Sequence, residues 1–194
     1  MAISKQNAVD PGNPQSSTDT LKPSETAEFE SGGEVDREGK YLTFSLVEEE
    51  YGIGILKIKE IIGMMPITGV PQTPVFVKGV INLRGKVIPV VDLRLRFGMP
   101  SIEYDDRTCI IVVEISALDL DVVIGIVVDS VSEVLNIKGE DIEDTPTFGA
   151  SLNTDYILGM AKMDGKVKIL LDIDEVLGAD ELAALAKADR KSVV

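Results

Sequence analysis

Histidine, the usual proton shuttle and metal ligand near neutral pH, is absent from this chain of 194 residues, and there is one cysteine, Cys109. A Ser-His-Asp triad, a Cys-His pair and a histidine metal ligand are therefore excluded. Cys109 lies in TCIIVVEI, residues Thr108–Ile115, an apolar run that reads as a buried strand, where a thiol packs like a small hydrophobe. Neither phosphate-cradling pattern, GxxxxGK[ST] or GxGxxG, occurs. Carboxylates are plentiful, so composition alone leaves a paired-acid site open. Asp172 and Asp174 have the spacing of a D-x-D metal pair, but their counterparts 80 residues earlier are Asp92 and Arg94, which reads better as a structural strand end. Glu140, Asp141, Glu143 and Asp144 read as a solvated acidic loop. No catalytic residue, metal ligand or cofactor site is expected.

What remains suits binding. Ile58 and Ile61 recur as Val131 and Val134, within two similar segments, YGIGILKIKEII (Tyr51–Ile62) and IGIVVDSVSEVL (Ile124–Leu135). Gly52/Gly125, Ile53/Ile126 and Glu60/Glu133 are identical there. Core packing and an apolar partner surface are both open readings of the aliphatic pairs. A second pair of segments follows in the same order, GVINLRGKVIPVVDLR (Gly79–Arg94) and GMAKMDGKVKILLDID (Gly159–Asp174). Each reads as two strands around a tight turn, Arg84-Gly85 and Asp164-Gly165, because glycine adopts positive φ without a Cβ clash. A unit of short strands thus occurs twice, which predicts two similar sheets and a groove between them as a natural binding place.

The elements that would carry these residues are short strands with turns every few residues, the pattern of small closed sheets rather than a parallel α/β fold. Strand periodicity begins at Tyr41, with Leu42, Phe44 and Leu46 alternating against Thr43 and Ser45 as in a half-buried strand. Ile67–Pro74 is irregular or edge-like because of Pro66, Pro71 and Pro74. Leu93–Phe97 reads as a helical turn and 140–153 as a long loop. A last helix is expected at Glu181–Lys191, capped by Asp180.

The net charge is −14, from 19 basic and 33 acidic residues. This opposes sequence-independent nucleic-acid binding and attraction to anionic lipid. No apolar run reaches the roughly 18 residues of a membrane span, and no secretory signal is expected at the N-terminus. With one cysteine, a cytoplasmic location follows as the default. Residues 1–39 are expected to be a disordered acidic tail, too poor in large apolar groups to offset the entropy of ordering.

Five collinear stretches carry a family resemblance: Glu48–Gly63, Ile67–Gly79, Gly79–Gly98, Gly125–Ile137 and Tyr156–Leu177. They resemble the CheW chemotaxis coupling proteins over roughly residues 40–177. The resemblance implies an all-β fold of two five-stranded antiparallel src-homology-3-like barrels packed together, with short helical turns and a C-terminal helix. On the reading of the chain as two halves, the first barrel spans about 40–100, the second about 101–178, and 179–194 form the helix and tail. It further implies a non-catalytic adaptor, monomeric when free, that couples the cytoplasmic tips of methyl-accepting chemoreceptors to the regulatory domain of the histidine kinase CheA. The receptor groove would hold Ile58, Glu60, Ile61, Gly125, Val131 and Val134. The kinase surface would hold Gly79, Val80 and Arg84, with Glu60 and Arg84 interacting, and Phe148 would serve a second kinase contact. A basic residue common just upstream of that contact is Glu143 here. An adaptor of another chemosensory pathway, such as twitching motility, remains open, as does a small carboxylate-dependent hydrolase. A CheV-like protein would need a receiver domain that the short stretch after Leu177 does not hold.

Overall fold

The structure is a computed structural model and describes residues 37–117, 120–146, 154–178 and 181. The chain is mainly β, with eleven strands and two short helices among these residues. The strands are β1 (Gly39–Leu46), β2 (Glu49–Gly54), β3 (Ile58–Gly63), β4 (Val77–Leu83), β5 (Lys86–Asp92), β6 (Cys109–Ala117), β7 (Leu120–Val128), β8 (Ser130–Ile137), β9 (Ile142–Glu143), β10 (Ile157–Met163) and β11 (Lys166–Leu171). The helices α1 (Leu93–Arg96) and α2 (Ile173–Val176) each follow a hairpin and are capped by Asp92 and Asp172, the matched acids of the repeat.

Two sheets result, as expected, but the chain does not divide between them at residue 100. One sheet has the order β8-β1-β2-β11-β10-β9 and the other β3-β6-β7-β5-β4. Each takes the first two strands of one repeat and the later strands of the other. The boundaries 40–100 and 101–178 mark the sequence repeat, not the sheets. The physical reason is connector length. In each sheet the outer strand, β3 or β8, runs antiparallel to β6 or β1, and so parallel to the strand beyond it. Joining β2 to β3 within one sheet would need a crossover of a dozen or more residues. The chain supplies three residues, Ile55–Lys57, between β2 and β3, and one, Asp129, between β7 and β8. Both connectors can only step across to the other sheet. Two further details differ from five purely antiparallel strands. One sheet has a sixth, two-residue strand, β9, and each sheet contains one parallel pair, β2–β11 and β5–β7.

Packing follows the exchange. Ile110 and Val112 of β6 join Ile81, Ile88, Val90 and Val127 inside one sheet. Ile111, Val113 and Ile115 point the other way, into a central core with Leu42, Phe44, Leu46, Ile53, Ile124 and Ile126. The uninterrupted apolar run of β6 is thus a strand covered on both faces. A third cluster, Tyr41, Ile137, Ala161 and Leu170, fills the other sheet. β1 is not half-buried as its alternation suggests. Thr43 is fully buried, and its hydroxyl donates to the Glu133 carbonyl at 2.9 Å and accepts from the Glu133 amide at 3.2 Å. The described structure includes residues 37–39 of the expected tail, and 1–36 lie outside the described residues. Arg37 donates to the Leu158 carbonyl at 2.9 Å and pairs with Asp144 at 2.6 Å. The expected C-terminal helix, apart from Glu181, lies outside the described residues.

Candidate partner-binding surfaces

Both repeat hairpins form as expected. Arg84 and Gly85 have φ of 53° and 86°, Asp164 and Gly165 52° and 74°, the positive pair of a type I′ turn. The turn aims Arg84 outward, where its guanidinium meets the Glu60 carboxylate at 2.8 Å. Arg84 is 78% exposed and Glu60 25%, so water screens much of the attraction. The two residues line a groove of about 640 Å³ with Lys59, Lys86, Val112 and Glu114. Lys59 and Glu114 form a second ion pair across it at 2.6 Å. Apolar Leu83, Ile88, Val112 and Val123 line it together with side chains of both charges.

The aliphatic repeat resolves into two roles. Ile58 and Val131 are half-buried and pack on the central core. Ile61 and Val134 are 45% and 50% exposed. Register shifts between Ile58 and Glu60, and between Leu42 and Phe44 opposite Val131 and Val134, keep both members of each pair on one face, beside Val113 and Ile111 and beside Phe44 and Leu42, so they differ in depth along that face. Ile58 and Ile61 sit on β3, Val131 and Val134 on β8, outer strands of different sheets.

Gly125 has a different place. It is buried on β7 opposite Val90 of β5 and Val112 of β6, and a Cβ there would press on the Ile110 side chain at 2.7 Å. The close approach of Ile110 leaves no room for a side chain at this position. Gly79 is likewise buried, at a bulge in β4, with φ of 138°. A Cβ on it would run into the Thr68 carbonyl. Val80 beside it exchanges two backbone hydrogen bonds with Thr68, both 2.9 Å. Gly159 repeats the arrangement against Ile142 and Glu143 of β9. Among the described residues of the expected kinase surface, Arg84 alone has a largely exposed side chain. Phe148 lies outside the described residues.

The acidic loop is charge-matched. Glu140 meets Lys138 at 3.4 Å and Glu143 meets Lys162 at 2.5 Å, while Asp144 is held by Arg37. Of the D-x-D pair, Asp174 meets the Lys57 ammonium at 2.5 Å and Asp172 caps α2. Burial raises the Cys109 thiol above its usual pKa, away from nucleophile character. Sequence reading missed the Lys57–Asp174 and Arg94–Asp129 pairs. Their signal was available in the repeat, where an acid and a base stand at the same position, 174 and 94.

Comparison with known proteins agrees with this architecture. The CheW-like domain family matches residues 40–181. The chain belongs to the CheW family. It is 42% identical over 144 residues to a chemotaxis protein CheW of Klebsiella aerogenes, covering 74% of this chain and 84% of that one. A CheW of Rhizobium meliloti is 34% identical over 143 residues, covering 74% and 90%. Among solved structures, the scaffolding protein CheW of Thermoanaerobacter tengcongensis superposes with a TM-score of 0.64 at 38% identity, covering 74% of this chain and 95% of that one. The role that follows is that of a chemotaxis adaptor. No helix among the described residues is long and apolar enough to cross a membrane.

Proposed function

We propose that this CheW-family chain works without catalysis in the cytoplasm, as a monomer recruited to receptor arrays, linking the tips of transmembrane chemoreceptors to the histidine kinase CheA. The observation that carries the receptor half is the exposure of Ile61 and Val134 at repeat-matched positions of β3 and β8. Two half-exposed aliphatics flanked by half-buried ones suit the apolar face of a helix laid across them. The kinase half rests on Arg84, presented by a rigid turn beside Glu60 and an apolar groove. Two separate modest surfaces on one chain raise the effective concentration of one partner near the other, which is what a scaffold supplies. Phe148 and the 1–36 segment belong to this reading through the family resemblance and composition alone.

The test separates the surfaces. Val134→Arg should weaken binding of a soluble receptor-tip hairpin by about 1–3 kcal/mol, with binding of the CheA regulatory domain unchanged. Arg84→Glu should do the reverse. Both variants should keep the wild-type circular dichroism spectrum. Loss of both partners in either variant would defeat the two-surface reading.

A further inference from the structure

The connector from β2 to β3 is a 3-10 turn, Ile55–Lys57, and its middle residue, Leu56, is 94% exposed. A lone exposed leucine ordinarily needs no explanation. This one sits on a turn fastened at both ends. Ile55 packs on the central core. Lys57 is held by one oxygen of Asp174 at 2.5 Å, and the other oxygen of Asp174 accepts from the Ser116 amide at 2.9 Å. One carboxylate on α2 thereby ties the turn to the end of β6.

The second connector shows what is unusual about the first. By the repeat offset that pairs Gly52 with Gly125, Asp129 is the counterpart of Leu56. Asp129 turns inward, accepts from the Val47 amide at 2.7 Å and pairs with Arg94 at 2.5 Å. Val47 and Ser116 occupy the same place in the two copies, since Thr43 faces Gly52 as Val112 faces Gly125. Each connector is therefore pinned by a carboxylate that takes a strand-end amide and a cation. In the second copy the acid is on the connector and the base on α1. In the first, the acid is on α2 and the base on the connector. Moving the acid to Asp174 releases position 56 from clamping, and the residue standing there directs an apolar side chain into solvent.

Resting on the proposal that β3 and β8 receive a helical partner, we propose that Leu56 is an additional contact residue for that helix's apolar face. Asp174 is its positioning residue, acting through Lys57 and Ser116. Continuity supports the assignment. Leu56 lies two residues before Ile58 on the same chain path, and Ile61 carries the exposed apolar surface onward along β3. A side chain held in one place before binding loses less entropy on contact, so a clamped turn is a suitable mount.

The experiment uses the full chain and a soluble helical hairpin with a chemoreceptor-tip sequence as probe, with affinity and thermal midpoint measured together. Leu56→Glu should raise Kd about tenfold or more at an unchanged midpoint. Asp174→Asn should raise Kd about three- to tenfold while binding of the CheA regulatory domain stays as in the wild type. The reciprocal variant Lys57→Asp with Asp174→Lys should recover part of the hairpin affinity. Leu56→Glu binding within about twofold of wild type would overturn the contact. A lowered midpoint for Asp174→Asn with Kd of the folded protein unchanged would overturn the positioning role. Val134→Arg is the control. If it abolishes hairpin binding while Leu56→Glu does not, this inference falls and the groove reading stands; if neither variant matters, the groove reading falls as well.

Discussion

Arg84 is a poor choice for its turn, and that is informative. The first position of a type I′ turn favours Asn, Asp or Gly, and Asp164 obeys this in the second hairpin. Arginine at φ of 53° carries a conformational cost of order 1 kcal/mol, and an exposed ion pair with Glu60 returns under about 1 kcal/mol. Stability alone does not explain the residue. Arg84→Asn should leave the thermal midpoint within about 3 °C of wild type or raise it, while receptor-coupled CheA autophosphorylation falls severalfold. Unimpaired coupling would reduce Arg84 to a solvated turn residue. Tyr104 offers a second test. Burial, then the charge of Asp92 and the 2.9 Å bond to it, raise its phenol above the usual value near 10. A folded pKa above the unfolded one gives stability that is full below about pH 10 and is lost as pH rises toward the folded value. Denaturation at pH 9, 10 and 11 should show stability declining above pH 10, with a shallower decline in Tyr104→Phe. Equal slopes would mean that Tyr104 contributes nothing to the alkaline limit.

At the scale of elements, the hairpins were legible because their signal is local. Gly85 and Gly165 mark the turns, and the apolar runs beside them can only be strands. The outer strands β3 and β8 were legible as a repeated pattern but ambiguous in role, since the same aliphatic pairs fit a core or a surface. Ile58 and Val131 pack on the core while Ile61 and Val134 stay half exposed, an outcome that depends on the register shifts beside these residues, which periodicity does not contain. The family resemblance implies partner surfaces at Gly79 and Gly125, and both are buried. A Cβ at Gly79 would meet the Thr68 backbone, and one at Gly125 the Ile110 side chain. Gly79→Ala should therefore cost more than about 1 kcal/mol, where a replacement at a compatible backbone would instead stabilise, through both the positive φ and the Thr68 carbonyl. Urea denaturation measures it, and a cost below about 0.5 kcal/mol would show that the bulge relaxes freely.

For the whole molecule, the repeat was legible in the sequence and the exchange was not. Two collinear copies invite the assumption of two consecutive barrels, and only the one-residue step at Asp129 and the three-residue step at Ile55–Lys57 contradict it. Connector length was thus the sequence signal for the exchange, and reading it required knowing that β8 runs parallel to β2 and β3 to β7. The consequence is thermodynamic. β1 and β2 complete a sheet whose other strands come from beyond residue 129, while β3, β4 and β5 need β6 and β7. Neither sheet can be assembled from one half of the chain. Fragments ending or beginning in the polar stretch near residue 106 should each lack a cooperative thermal transition, because every sheet would miss its central partners and the core shared by both would be open. The intact chain should unfold in one step, with far-ultraviolet circular dichroism and tyrosine fluorescence giving coincident urea curves. A fragment covering residues 37–106 that melts cooperatively as a monomer would mean that one repeat folds by itself, and the exchange would then be a preference rather than a requirement.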